Sequence, residues 1–473
     1  MTARREVERI GPGDQVQLAT DVGPVPMNVG AVLVLGGSPD PDAVVEALVR
    51  RIPRIPRLRQ VLVTAPWGLG RPYWLERAGV DVRGHVAQVR CPAPGDADAL
   101  LAVAVDAVTR PLPRSRPLWR AVVVSGLADG TVGVVVVLHH VLADGVGGLG
   151  VLARLVDGVR VGPGEQGAAL AGSEAAGVET SVPGAREAAA AVLPRAVPPS
   201  APRAIDLLVD VTRERWRTVR GLRGLGARLS RARTELGGRA GRTRPRAPRC
   251  SLDAPTGPRR ALATVEVELA PLRAGGRRHG ATVNDALLVA TTGAMTAALR
   301  RRGETTRDLV VSVPVSARVE AGDALGNQVG VMPVRVTGGG TVAERLARVA
   351  EVTRAQKTHV RGTSAALVGP VFRMLGAIGA FRWFVDHQHL VNTFVTNLPG
   401  PISPVSLAGA PVLRIAPVTI TAGNVGVAFA ALSYAGRLTV TVIVDPDVVP
   451  ELRAVAAALA DELAAIAAAG GER

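Results

Sequence analysis

The sequence is short of lysine, cysteine and aromatic side chains, and each shortage closes off a class of protein. Lys357 is the one lysine among 56 basic residues. The charge is therefore arginine charge, and beside so much Ala, Gly, Val and Pro it reads in part as a base-composition bias of the coding DNA, which weakens the net charge of +16 as a functional sign. The two cysteines, Cys91 and Cys250, are far apart and lack CxxC spacing. That argues against a disulfide framework or a zinc site and fits a reducing cytoplasm. Aromatic residues make up 3% of the chain, too few for base-stacking platforms, and no zinc-finger spacing accompanies them, so no nucleic-acid partner is expected. Met1 to Gly11 alternates charges and does not read as a secretory leader. The long uncharged stretches, His387 to Leu413 and Ile415 to Gly436, are interrupted by Pro399, Pro401, Pro404 and Pro411 and by Gly423-Asn424. They read as loop and hairpin rather than as a spanning helix, and no transmembrane segment is expected.

What is present is ample core material. With 473 residues, 47% hydrophobic and 20% charged, the chain is expected to form two α/β units joined by a connection. The first unit spans 1–161, the connection 162–255 and the second unit 256–473. In the connection, a stretch of Ala, Gly, Pro, Glu and Ser gives way to a 3.6-residue apolar period through Ile205, Leu208, Thr212, Trp216, Val219 and Leu222. Thirteen arginines between Arg213 and Arg249 face only Glu214 and Glu235. Such a basic amphipathic helix can dock on an anionic lipid surface or pack its apolar face on the protein's own core, and both readings stay open.

Hydrophobic periodicity supplies the elements. Strands are expected over Val29 to Leu35, Ala121 to Ser125 and Thr131 to Leu138, with helices around Val44 to Val49, Leu101 to Val108 and Leu149 to Val156. In the second unit strands are expected at 263–269, 309–315, 329–336, 392–396, 425–432 and 438–444, alternating with helices at 283–301, 342–356 and 450–468. Trp383, Phe384, His387 and His389 form the richest aromatic and histidine cluster, which helical core packing explains.

One constellation carries chemistry. His139-His140 closes the apolar strand Val134 to Leu138 and opens into Asp144-Gly145, with Gly147 and Gly148 beyond. A rigid strand end running into glycines exposes an imidazole beside a substrate without crowding it. An imidazole, with an unperturbed pKa of about 6.5, accepts a proton from an alcohol and returns it to a leaving thiolate. The competing readings are weaker. A metal site lacks a third ligand at a fixed spacing, a serine hydrolase lacks Gly-x-Ser-x-Gly, and two core histidines satisfied by backbone groups leave the Asp-Gly turn unexplained. Asp144 either orients the ring or holds the loop by pairing with an arginine, with Arg318 the candidate partner; the loop-holding role is favoured. Arg259-Arg260 either reaches CoA phosphates or stays solvated.

The segment His139 to Gly145 resembles the HHxxxDG signature of the CoA-dependent acyltransferase superfamily, which includes chloramphenicol acetyltransferase and peptide-synthetase condensation domains. Other segments resemble one member family, the bacterial wax ester synthase/diacylglycerol acyltransferases: Arg114-Ser115-Arg116-Pro117-Leu118-Trp119, Asn284-Asp285, Val313 to Arg318 with Leu325-Gly326-Asn327, Thr396 to Pro401, and Pro26 to Gly30. The similarity runs from about Ile10 to the end, the low-complexity connection excepted. One departure stands out, because Pro113 occupies the place of an aspartate in the family's PLDRSRPLW and removes a carboxylate that would pair with an arginine.

The resemblance implies a two-domain chloramphenicol-acetyltransferase-like α/β fold with a central tunnel. It implies His140 as general base, His139 as its supporting neighbour, and Asp144 and Gly145 as shapers of the loop. Pro117, Leu118 and Trp119 would position substrate or the domain interface. Asn284 and Asp285 would lie near the tunnel, Asn284 either polarising the thioester oxygen or capping a helix. Acyl-CoA would be a co-substrate with no further cofactor and no metal. Diacylglycerol or a long-chain alcohol would be the acceptor, at a cytoplasmic site peripheral to the inner membrane or lipid bodies. The alternatives are an acyltransferase of the same fold with another alcohol or amine acceptor, and a catalytically silent lipid-binding protein.

Overall fold

The computed structural model describes residues 8–64, 71–77, 79–143, 145–158, 246–305, 308–316, 329–360, 375 and 379–470. Asp144, Arg318 with Leu325-Gly326-Asn327, and the connection from 159 to 245 with its basic segment around Trp216 lie outside the described residues.

The first half runs α1 (Pro12–Thr20), β1 (Asn28–Leu35), α2 (Pro41–Arg51), β2 (Gln60–Val63), β3 (Tyr73–Glu76), β4 (Val86–Arg90), α3 (Ala97–Thr109), β5 (Trp119–Ser125), β6 (Val132–His139) and α4 (Gly145–Leu155). The second half runs β7 (Ala261–Glu268), α5 (Leu269–Arg278), α6 (Val283–Arg301), β8 (Asp308–Ser316), β9 (Val329–Thr337), α7 (Val342–Val360), α8 (Phe381–Asp386), β10 (Thr393–Pro399), β11 (Ser406–Leu407), β12 (Ala410–Val418), β13 (Val427–Tyr434), β14 (Arg437–Val444) and α9 (Leu452–Ala468).

Two six-stranded mixed sheets form the frame, ordered β11-β12-β1-β6-β5-β4 and β7-β14-β13-β10-β8-β9, beside a small β2-β3 ribbon. β6, Val-Gly-Val-Val-Val-Val-Leu-His, is buried along its whole length. That is the behaviour of a β-branched run without polar alternation, which pairs on both edges and is covered on both faces. It lies antiparallel between β1 and β5. In the second half α6 is buried nearly all round, as an apolar helix without a polar face must be. The hydroxyls it carries inside donate to carbonyls one turn back, Thr291 to Leu287 O at 2.7 Å and Thr292 to Leu288 O at 2.6 Å.

The sheets do not follow the two halves of the chain. β12, from the second half, lies antiparallel against β1, pairing Gly30 with Val418 and Leu33 with Ile415. The loop expected through Leu413 is therefore partly strand. Pro411 and Pro417 hid it, because proline demotes a strand reading, yet both stand within the ladder, Pro411 opposite Ser406 of β11 and Pro417 opposite Ala31 of β1.

The cluster around Trp383 also departs from expectation. Trp383 is 67% exposed, stacked on the His387 ring at 5.1 Å, and not packed into a core. A helix of six residues is too short to bury both faces. Among the described residues no helix is long and apolar enough to cross a membrane.

Candidate active site

The alternation of β6 decides what each histidine does. Val136, Leu138 and His140 line one apolar cavity, the i, i+2, i+4 set that a strand presents to one side. His139 falls on the opposite side and is buried. Its Nδ1 accepts the Val141 backbone N–H at 3.1 Å, so in the neutral ring the proton sits on Nε2, which donates to Asp21 Oδ2 at 3.1 Å. The carbonyl of His139 accepts from Leu142 N at 2.9 Å, and the backbone N–H of His140 donates to Met27 O at 2.7 Å. His139 thus ties down the turn that carries its neighbour.

Asp21, which follows α1, has no motif around it and was not singled out from the sequence. It also accepts from Met27 N at 3.1 Å and from Arg114 at 3.3 Å. Burial alone would raise its carboxyl, but the bonds from His139, Met27 and Arg114 outweigh that and hold it below the usual carboxylate range. Asp21 thereby gives Arg114 the carboxylate that Pro113 does not supply.

The cavity lies between the halves. α4 contributes Gly145, Gly148, Leu149 and Leu152 on one face, and β1 contributes Val29, Gly30 and Ala31. The opposite wall comes from the second half, with Thr396 and Leu398 of β10, Ala430 and Leu432 of β13, and Val418 at the end of β12. Its volume is about 100 Å³, somewhat less than the roughly 150 Å³ that accepts a benzene ring. That is room for reacting groups and a short length of chain. Among the described residues its lining is apolar apart from His140 and two threonines, Thr396 and Thr419.

Gly145 stands at the seam. A Cβ there would lie 2.7 Å from Leu398 Cδ2, so a larger residue at 145 would require the Leu398 side chain to turn aside. Gly30 is held more strictly, since a Cβ would collide with the Val136 carbonyl oxygen on β6.

The remaining anticipated residues sit around this centre. Pro117, Leu118 and Trp119 are buried behind it and are not in its wall. Leu118 O accepts from His139 N at 2.9 Å. Trp119 Nε1 donates to Leu58 O at 2.8 Å, and its ring stacks on His85 at 4.6 Å. Through these contacts they support the end of β6.

Asn284 and Asp285 are apart from the cavity wall as well. Thr396 and Leu398 face the cavity, so Asn397 points to the other side of β10, where it donates to Asn284 Oδ1 at 2.7 Å. Thr282, not Asn284, caps α6, and Asp285 closes the capping box by accepting from Thr282 N at 2.8 Å. Asp285 also accepts from Thr353 Oγ1 at 2.8 Å.

Arg259 and Arg260 both have partners within the second half. Arg260 is buried, donating to Thr421 O at 2.9 Å and to Gly257 O at 2.7 Å beside Asp445, and Arg259 pairs with Asp447.

Two sheets joined by an exchanged strand thus hold the His140 imidazole in the wall of a cavity between them. The fold is α+β and matches solved structures over nearly the whole chain. The wax ester synthase/diacylglycerol acyltransferase from Marinobacter aquaeolei VT8 superposes with a TM-score of 0.65 at 22% identity, covering 98% of this chain and 100% of that one. The first condensation domain of the calcium-dependent antibiotic synthetase superposes with a TM-score of 0.61 at 17% identity, covering 99% and 97%.

The model of the wax ester synthase/diacylglycerol acyltransferase catalytic domain matches residues 10–287, and that of the WS/DGAT C-terminal domain matches residues 325–467. The chain belongs to this family and is an acyl-CoA-dependent O-acyltransferase. A relative from Mycobacterium tuberculosis (strain ATCC 25618 / H37Rv), named Probable diacyglycerol O-acyltransferase tgs1, is 29% identical over 455 residues, covering 94% of this chain and 92% of its own length.

Proposed function

We propose that the enzyme moves a long-chain acyl group from acyl-CoA to the hydroxyl of diacylglycerol or a long-chain alcohol, giving triacylglycerol or wax ester, with His140 as general base. The observation that carries this reading is the position of His140 in an apolar cavity between the two halves. An apolar lining suits alkyl substrates, and a single basic group suits a reaction whose only proton traffic is from a hydroxyl to a thiolate.

In this reading the cavity is the middle of a tunnel, acyl-CoA entering from one mouth and the alcohol from the other. His140 takes the hydroxyl proton as the oxygen attacks the thioester carbonyl. The tetrahedral intermediate collapses, the carbon–sulfur bond breaks, and the proton passes to the departing CoA thiolate. Free CoA and an ester remain. Holding both reactants in a dry cleft removes much of the entropic barrier, and the base adds about 10²–10⁴-fold. Asp144 and Gly145 shape the loop, and the surroundings of His139 fix its register.

Binding at a membrane or lipid-body surface, through the basic segment near Trp216, belongs to the same proposal, because both proposed products are insoluble in water. Vesicle sedimentation across a salt series tests it; binding that ignores salt contradicts electrostatic docking.

The deciding experiment follows free thiol from palmitoyl-CoA with and without hexadecanol or 1,2-dioleoylglycerol. Thiol release that rises with either acceptor, accompanied by the matching ester, is the expected result. Release that no hydroxyl acceptor stimulates overturns the reading.

A further inference from the structure

We infer that Gly148 sets how much bulk an acceptor carries beside its reacting hydroxyl, so that this position admits a branched acceptor such as diacylglycerol as well as a linear alcohol. The inference rests on the O-acyl transfer proposed above.

Three glycines line the cavity, Gly30, Gly145 and Gly148. At Gly30 an added Cβ would collide with the Val136 carbonyl, and at Gly145 it would press on the Leu398 side chain. At Gly148 an added Cβ meets nothing within 4 Å, and the backbone has no positive φ that would call for glycine. The residue stands inside α4, where glycine is the least favourable choice after proline. Neither packing nor backbone conformation accounts for it. What glycine leaves there is space on the cavity side of the helix.

That space is placed where it matters for selectivity. Gly145 and Gly148 occupy the turn of α4 nearest the histidine loop, and Leu149 and Leu152 close the same face farther along. The wall is hollow at the catalytic end and filled beyond it. A linear alcohol brings only methylene groups up to its hydroxyl and needs little width. Diacylglycerol carries an ester branch close to the hydroxyl and needs the hollow.

The test compares wild type with Gly148→Ala, Gly148→Leu and Gly150→Leu in the full chain. Gly150 is the control, since its Cβ also meets nothing within 4 Å but the residue is not in the cavity wall. Specificity constants are measured with palmitoyl-CoA and three acceptors: hexadecanol, 2-hexyldecanol, which bears a branch next to the carbinol carbon, and 1,2-dioleoylglycerol. Gly148→Leu is expected to lower the branched-to-linear ratio by about tenfold or more, with Gly148→Ala between it and wild type. Gly150→Leu is expected to leave the ratio unchanged, and all variants should melt no lower than wild type.

An unchanged ratio, an equal loss on all acceptors, or an equal shift from Gly150→Leu overturns the inference while leaving the acyl-transfer reading intact. Wild-type protein that acylates none of the three alcohols overturns the acyl-transfer reading, and the inference falls with it.

Discussion

At the residue scale, adjacent histidines divide the work because a strand sends neighbours to opposite sides. His140→Ala is expected to fold normally and lose about 10²–10⁴-fold in kcat/KM, the usual worth of a positioned base; full activity with retained structure would remove the base from the mechanism. The reverse signature belongs to Asp21 and His139. His139→Ala leaves the buried Val141 N–H without its acceptor and Asp21 without its donor, and losses of this kind cost about 1–3 kcal/mol each. Asp21→Ala is expected to lower the denaturation midpoint similarly, while His140→Ala leaves it unmoved. If a denaturant titration instead shows the Asp21 and His140 variants equally stable, Asp21 is not holding the turn. Of this centre the two histidines were legible, since a strand, a histidine pair and a glycine-rich turn are contiguous. Asp21 was not, because it acts across 118 positions of sequence and no local pattern marks a carboxylate for so distant a partner.

At the element scale, most strands and helices were legible because their apolar periods are long and clean, as in β6 and α6. Those that escaped are short or carry proline, and β12 matters most. Its anchorage rests on Tyr434, whose buried hydroxyl donates to Val412 O at 2.8 Å and accepts from Val405 N at 2.9 Å. Tyr434→Phe should cost about 1–3 kcal/mol and speed amide exchange in β12 and β1 ahead of β8 and β9; uniform exchange would mean that the crossing strand is held by other contacts.

A second element-scale prediction concerns residues 246–253, where the chain enters the second half. Ala247 N donates to His389 O at 2.9 Å, and Asn392 Nδ2 donates to Pro248 O and to Asp253 Oδ2, each at 2.8 Å. Burial pushes the Asp253 carboxyl up to about 6, against the lowering effect of bonds from Cys250 and Asn392. An acid whose folded value is raised binds its proton more tightly when folded. Its contribution to stability is therefore complete below the ordinary carboxylate range near 4 and is lost as pH rises through about 6. Asp253→Asn should remove that slope. The stability difference between variant and wild type, followed by urea midpoints, should change between pH 4 and 6 and stay constant above; a difference flat across that range would show Asp253 ionised throughout.

At the scale of the whole molecule, the exchanged strand makes the halves depend on each other. The apolar cluster around the first sheet includes Val412, Ile415 and Val418 of β12, and also Ala430, Leu432 and Ile443 from strands of the second sheet. The first core is thus completed by residues more than 200 positions later in the chain, which no periodicity within the first half announces. An ion pair and a backbone bridge cross the same boundary, Arg453 to Asp98 at 2.7 Å and Asp157 with Ser406 through reciprocal N–H to carbonyl bonds. Without β12, the β1 edge would expose unpaired backbone groups beside an open apolar face, the condition that favours aggregation. Unfolding is therefore expected to be one cooperative event, since neither core survives loss of the surface the other supplies. The most protected amides of β6 and β13 should exchange with the same opening free energy, and a fragment of residues 1–161 should be insoluble or lack protected amides. Two separate transitions, or a soluble 1–161 fragment with a protected β6, would show the halves to be independent. In that case the cavity would be a contact between two stable bodies, free to open by rigid motion, rather than a cleft fixed by a shared sheet.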